Sequence, residues 1–201
     1  MKYDLIIFDL GNVILRFDHN ISAAKITRRF GLKQKVVYDL FFESEATLLH
    51  DEGKISSREF FTRITKQLGI KISFGEFKNY WCNIFSPNKG MIPLVKRLRK
   101  KYKVYLMSNI NRLHFDFIKK NFSVIKNFDG VILSYKVHAL KPDPRIYKEA
   151  FRRAKTKPAR TVYIDDRRDL IELSRPLGMN NILFINPGQL KRDLKKLSVD
   201  T

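Results

Sequence analysis

Residues Leu5-Ile6-Ile7-Phe8-Asp9-Leu10-Gly11-Asn12-Val13 constrain the fold more than any other stretch of the chain. Four consecutive apolar residues predict a short strand buried on both faces. A carboxylate follows at once, then a Gly-Asn turn. Such a strand belongs inside a parallel sheet, and open α/β sheets hold their ligands at the carboxyl ends of those strands. A polar residue ending a strand is also common, so this stretch alone balances chemistry against plain strand termination.

Beyond Asn12 the pattern changes. Residues 20–86 show no alternation of strand and helix. Ile21, Ala24, Ile26 and Phe30 give one apolar face at helical spacing, and Val36, Val37, Leu40 and Phe41 give another. Ser56 and Glu59 are spaced as a capping box for a helix over 57–68 that stops at Gly69. A further helix is expected from about Ser73 to Phe85. The segment reads as a cluster of about four helices, with Trp81-Cys82 and the aromatic stripes as its core.

From Asn88 strands and helices alternate. Helices are expected at 91–101, 112–121 and 188–197, one led by Asp143-Pro144, and one running to about Leu177. Strands are expected at 104–107, 130–134, 161–164 and 181–185. With the first strand this makes five, joined by right-handed crossovers. The predicted fold class is α/β, a three-layer doubly wound parallel sheet. Residues 1–14 and 87–201 form its core, and 15–86 an inserted helical cap placed as a lid.

Length suits one domain with such an insertion, and 44% hydrophobic residues can fill a core. No run of eighteen apolar residues is present, so no membrane partner is expected. The single cysteine, Cys82, excludes an internal disulfide and a multi-cysteine zinc site. The N-terminus leads directly into a strand without the form of a signal peptide, and a cytoplasmic setting is expected. Forty basic and 20 acidic residues give a net charge of +20. Such charge favours polyanions. The reading preferred here is a solvated surface with no nucleic-acid partner, on a monomer or homodimer.

Asp9, Ser108 and the pair Asp165-Asp166 each fall at the end of an expected strand, on one edge of the sheet, with Lys141 just before a helix. Three carboxylates near one point repel one another unless a cation holds them, and an oxygen-rich pocket suits Mg²⁺. An ammonium beside them can bind a phosphoryl oxygen, and an Asp carboxylate can act as nucleophile. These residue types point to metal-assisted phosphoryl transfer.

Four blocks, IIFDLGNV, YLMSNINR, KPDPRIY and YIDDRRD, stand in the order of the haloacid dehalogenase (HAD) superfamily hydrolases, which the whole chain resembles. Its details are most similar to the α-glucose-1-phosphate phosphatases and the phosphatase domain of soluble epoxide hydrolases. The resemblance implies a Mg²⁺-dependent phosphatase of a small phosphorylated metabolite, a sugar phosphate among the candidates. It implies Asp9 as nucleophile and metal ligand, Gly11 as a carbonyl ligand, and Ser108 and Asn109 as phosphoryl-binding residues. Lys141 neutralises the phosphoryl group and orients Asp9; Asp166 is the direct metal ligand, and Asp165 supports the site. A dehalogenase and a non-catalytic polyanion-binding protein are the alternatives.

Two positions depart from the family pattern. The second Asp of Asp-x-Asp is Gly11, which removes a general acid worth about 10²–10⁴-fold; a positive φ is one reason for glycine there. Asp18 and His19 are candidate replacements, with a polar hinge as the preferred reading of both. The second departure is Leu170, where a polar residue is usual. In the cap, His50 and Glu52 are candidates to face substrate, with a solvated loop as the alternative. Arg167 and Arg168 are candidates to touch the phosphate, and His114 and His138 read as structural.

Overall fold

The computed structural model describes residues 2–201; Met1, where the expected core begins, lies outside the described residues. The opening apolar run forms β1 (Leu5–Phe8), with all four residues fully buried. Next come β2 (Leu15–Phe17), α1 (His19–Phe30), α2 (Gln34–Tyr38), α3 (Glu45–Asp51), α4 (Ser57–Leu68), α5 (Phe74–Cys82) and β3 (Phe85–Pro87). The second half alternates as α6 (Met91–Leu98), β4 (Lys103–Ser108), α7 (Arg112–Asn121), β5 (Gly130–Leu133), α8 (Ser134–Val137) and α9 (Pro144–Ala154). It ends with β6 (Thr161–Asp165), α10 (Arg168–Leu173), β7 (Asn180–Leu183) and α11 (Pro187–Lys196).

Among the described residues, β1, β4, β5, β6 and β7 form one parallel sheet in the order β5-β4-β1-β6-β7. The chain winds outward from β1 through β4 and β5, returns across it, and winds the other way through β6 and β7. The switch point is therefore at β1, where a crevice opens between the carboxyl ends of β1, β4 and β6. Register fixes what meets there. Phe8 pairs with Leu106 on one side and Ile164 on the other, so the next residue, Asp9, comes level with Met107 and Asp165.

Alternation along the strands divides the core into two layers. Ile6, Phe8, Val104, Leu106, Val162 and Ile164 point to one face, covered by α6, α7 and α11. Leu5, Ile7, Tyr105, Met107 and Tyr163 point to the other, covered by α9 and α10. This is the three-layer arrangement expected. Leu170, the apolar departure from the family pattern, is buried on α10.

The helical segment differs in detail from its expectation. It holds five α-helices and a π-turn over Asp39–Glu43, where about four helices were expected. Helix α4 has its expected cap, with the Ser56 hydroxyl accepting the Glu59 N–H, and stops at Gly69 with φ 65°. The Glu59 carboxylate turns to Arg63 and leaves the box half made. The complete capping box lies at Ser73 and Glu76 instead. Helix α5 ends at Cys82 because Phe85 belongs to β3, which pairs antiparallel with β2. This ribbon carries the chain into and out of the helices. Ala23, Ile26, Phe41, Phe60, Ile64, Phe77 and Trp81 are all fully buried in a cluster separate from both sheet layers. Burial of each large side chain contributes about 1.5–3 kcal/mol, and Leu113 of α7 joins the same cluster. Among the described residues no helix is long and apolar enough to cross a membrane.

Candidate active site

Asp9, just past β1, and Asp165, the last residue of β6, flank one buried ammonium. Lys141 Nζ donates to Asp9 Oδ1 at 2.5 Å and to Asp165 Oδ2 at 2.6 Å. Lys141 comes from the loop before α9, a helix capped by Asp143 with Pro144 at its first position, as both residues favour. Asn109 fixes that loop. Its Oδ1 accepts the Lys141 N–H at 2.7 Å and its Nδ2 donates to the Lys141 carbonyl at 3.1 Å. The amide expected to face the phosphoryl group is therefore engaged with the lysine backbone. Ser108 ends β4, buried, at the same edge.

Asp165 accepts from three protein donors. Oδ2 also accepts the Tyr163 hydroxyl, and Oδ1 accepts the Arg167 N–H at 2.9 Å. Asp166 is half-buried and accepts from Asn12 Nδ2 at 3.1 Å. Asp9 Oδ2 has no hydrogen-bond donor among the described residues. One oxygen from each of Asp9, Asp165 and Asp166 lies within 4.8 Å of the others. Burial pushes the Asp9 carboxyl above its ordinary range, and Lys141 pulls it back. Burial works against the Lys141 charge, but the two carboxylates outweigh it and keep the ammonium protonated. Burial also raises Asp166, against the Asn12 hydrogen bond. Three carboxylates against one ammonium make an oxygen-rich, negatively charged cluster whose donor set fits Mg²⁺.

Beside this cluster, between the sheet edge and the helical segment, lies a cavity of about 130 Å³. Gly11, Ser108 and Asn109 line its floor; Phe17, His19, Phe42, Trp81 and Phe85 line its walls, with Thr47, Asp51, Asn111 and His114. His19 stacks on Phe42 at 3.7 Å, Phe42 on Trp81 at 5.0 Å and Trp81 on His114 at 4.9 Å, all within 11° of parallel.

The sequence candidates divide accordingly. His19 reaches the cavity, and burial holds its imidazole down at about 4, against the pull of Asp18. Asp18 caps α1 by accepting the Asn20 N–H and is not among the cavity-lining residues. His50 and Glu52 do not line the cavity. His50 is buried on Phe60, 3.1 Å from Ser57 Oγ, and the Glu52 carboxylate pairs with Lys54. Between them Asp51 does line it, a residue the sequence reading does not single out. Arg167 pairs with Asp169. His114 is structural, 3.0 Å from the Trp81 carbonyl, and exposed His138 lies 3.1 Å from the Glu52 carbonyl.

Residues 3–171 match the haloacid dehalogenase-like hydrolases. The chain belongs to this family. It is 25% identical over 197 residues to the D-ribitol-5-phosphate phosphatase of Bacteroides thetaiotaomicron, covering 94% of this chain and 95% of the relative. It is 22% identical to the sesquiterpene phosphatase of Aspergillus oryzae, over 86% of this chain and 85% of that protein. A magnesium complex of a HAD family enzyme from B. thetaiotaomicron superposes with a TM-score of 0.83 at 25% identity, over 96% of this chain and all of the other.

For a haloacid dehalogenase-like hydrolase the unusual position is Gly11, and the reason for glycine is not a positive φ. The left-handed residue of the turn is Asn12, at φ 54°, a residue type that tolerates it. Gly11 makes room for Phe17. A Cβ at position 11 would stand 2.6 Å from Phe17 Cε1 and 3.2 Å from Cδ1. The ring fills the space that a side chain at residue 11 requires. Gly11→Ala is expected to destabilise the protein by about 1–3 kcal/mol through overpacking. That loss should largely disappear in a Phe17→Ala background. Urea unfolding of the four proteins measures the coupling; equal losses in both backgrounds would refute it.

Proposed function

We propose that the protein is a Mg²⁺-dependent phosphatase of a small phosphorylated metabolite, working through an aspartyl-phosphate on Asp9. The observation that carries this reading is the buried Asp9–Lys141–Asp165 arrangement at the switch point of the sheet, with Asp166 beside it. Asp9 and Asp166 would hold the metal with the Gly11 carbonyl. That carbonyl already accepts the Val13 N–H at 2.6 Å and keeps its second lone pair. Asp165, its oxygens engaged, would hold Lys141 in place. Bound Mg²⁺ supplies positive charge to a phosphoryl oxygen as a Lewis acid.

Asp9 Oδ2 attacks phosphorus; the bond to the leaving oxygen breaks, and that oxygen takes the electron pair and a proton from solvent water. Water then attacks phosphorus and gives up a proton to solvent, the bond to Asp9 breaks with its electron pair returning to the carboxylate, and inorganic phosphate leaves. Lys141 keeps Asp9 oriented and balances charge on the phosphoryl group, with Ser108 as a further donor. Asn109 keeps Lys141 in register. Residues 15–86 act as the cap over a core of 1–14 and 87–201.

The cavity of about 130 Å³ beside the cluster has room for a leaving group on the scale of a small sugar or polyol. The test is phosphate release from a panel of phosphorylated metabolites, with Mg²⁺ and with excess EDTA. Activity should vanish on chelation and return with Mg²⁺. Undiminished turnover in EDTA, or halide release from a 2-haloacid in its place, would overturn the reading.

A further inference from the structure

The cap segment 51–53 is fastened to the sheet domain at three successive residues. Ser134 Oγ lies 2.6 Å from the Asp51 carbonyl. The Glu52 carbonyl lies 3.1 Å from His138 Nδ1. Gly53, at φ 71°, passes so close to α8 that a Cβ would stand 2.3 Å from the Tyr135 carbonyl oxygen. Only glycine allows both that conformation and that approach. The carboxylate of Asp51 is therefore placed against the cavity by contacts at its own carbonyl and at the two residues that follow it.

Its own hydrogen bonding is incomplete. Oδ1 accepts from Asn111 Nδ2 at 2.9 Å, and Oδ2 has no donor among the described residues. Burial raises the carboxyl to about 6, with the Asn111 bond opposing. The neighbouring polar groups do not supply the missing donor. Thr47 Oγ1 donates to the Phe41 carbonyl, and the Asn111 amide and His114 imidazole are engaged with each other and with the Trp81 carbonyl. Asp51 is half-buried and lines the cavity, so the acceptor it leaves unpartnered there is open to a hydrogen bond from a ligand.

We infer that Asp51 is a specificity-determining residue whose Oδ2 accepts a hydrogen bond from a hydroxyl group on the leaving-group portion of the substrate. This rests on the phosphatase reading of the site and adds to it the chemistry the leaving group must carry. The acceptor count argues for a hydroxyl over an ammonium. Asp51 is the one carboxylate among the residues described as lining the cavity, and an ammonium would bring three donors to it. The substrate class is a small phosphate monoester with at least one free hydroxyl, of polyol or sugar type.

The experiment compares glycerol 3-phosphate with propyl phosphate, which has the same carbon count and no hydroxyl, and with ethanolamine phosphate. Wild type and Asp51→Asn are used with Mg²⁺. Asn keeps an oxygen for Asn111 and replaces the free acceptor by a donor. A hydrogen bond to a charged group corresponds to a factor on the order of 10–100. Wild type should prefer glycerol 3-phosphate to propyl phosphate by about that factor, and Asp51→Asn should lose the preference. The loss should fall on KM for the hydroxylated substrate more than on its kcat. Asp51→Glu should restore part of the preference.

Calorimetric binding of glycerol 3-phosphate and propyl phosphate to Asp9→Asn, with and without Asp51→Asn, reads the same discrimination without turnover. Failure of the phosphatase reading would appear as no hydrolysis of any ester. Failure of the Asp51 assignment would appear as equal binding of the two ligands, or as a preference that survives Asp51→Asn. A preference for ethanolamine phosphate would likewise overturn the hydroxyl assignment.

Discussion

Lys141→Met is expected to lower stability by about 3–5 kcal/mol and kcat by at least about 10²–10³-fold. Methionine is unbranched like lysine, one atom shorter, and leaves no large void, so the effect is mainly electrostatic. The Asp9 and Asp165 side chains are 10% and 1% exposed. Without the ammonium they are buried carboxylates with no compensating charge, the situation in which breaking a buried pair costs most. For a protein whose total stability is roughly 5–15 kcal/mol, that is a large share. The surface supplies a control. Glu149 pairs with Arg152 and Arg153 at short distance, but both arginines are exposed, and pairs of that kind contribute about 0–1 kcal/mol. Glu149→Gln should therefore be nearly silent where Lys141→Met is not.

The pH dependence has a definite sign. In the variant, burial holds the carboxyl of Asp9 above its ordinary 3.8 with no ammonium to pull it back. The folded state then keeps a proton that the unfolded state has released. The penalty is complete at alkaline pH and fades as the pH falls toward the unfolded value. Urea unfolding of metal-free wild type and variant at pH 8 and pH 5.5 should show the gap narrowing at the lower pH. Equal stabilities at pH 8 would mean that Lys141 does not neutralise these carboxylates. The kinetic loss follows from removing a fixed positive charge at the phosphoryl site.

What the sequence makes legible here is what local chemistry dictates. Residues 5–8 have no polar face to expose, so they enter the middle of a sheet, and Asp9 follows into the switch-point crevice. Asp143 and Pro144 state their helix start by hydrogen bond and φ, and the structure places it there. The β2–β3 ribbon was not legible. Three residues a side are too few to show alternation, and pairing across nearly seventy residues leaves no local trace. The reason for Gly11 was hidden in the same way, because it is the ring of Phe17 arriving from that ribbon.

Asp51 had a signal that could have been read. It lies four residues after Thr47 on α3, on one helical face, and both line the cavity. His50 and Glu52 point elsewhere because they flank that face. What no pattern in the chain conveys is that Asn111 and Ser134, from distant segments, meet that face and hold it at the site.

Asp9→Asn is expected to remove turnover, by a factor on the order of 10⁴–10⁶, while leaving the fold unchanged. The magnitude is that of deleting an enzyme's nucleophile. An amide oxygen is too weakly nucleophilic to displace an alkoxide from phosphorus, and no second carboxylate stands at residue 11 to take over. Stability should not suffer. Asn keeps an oxygen where Oδ1 accepts from Lys141, and Lys141 keeps its ion pair with Asp165. Two effects compete at residue 9, the lost attraction to the ammonium and the relieved cost of burying a charge. Burial is the larger influence on this carboxyl, so metal-free Asp9→Asn should be at least as stable as wild type near neutral pH. Activity loss accompanied by unfolding would assign Asp9 a structural role. The chemistry is read with heavy-oxygen water. If Asp9 attacks phosphorus and water then attacks phosphorus, the label enters the released phosphate and Asp9 stays unlabelled after many turnovers. Hydrolysis of a carbon ester on Asp9, as a dehalogenase would require, places the label in the Asp9 carboxylate. Direct attack of water on the substrate would label phosphate too, but it would leave Asp9→Asn substantially active. Label in phosphate, none in the peptide carrying Asp9, and an inert but folded Asp9→Asn are jointly the result expected for an aspartyl-phosphate. Label in that peptide, or a working Asp9→Asn, would refute it.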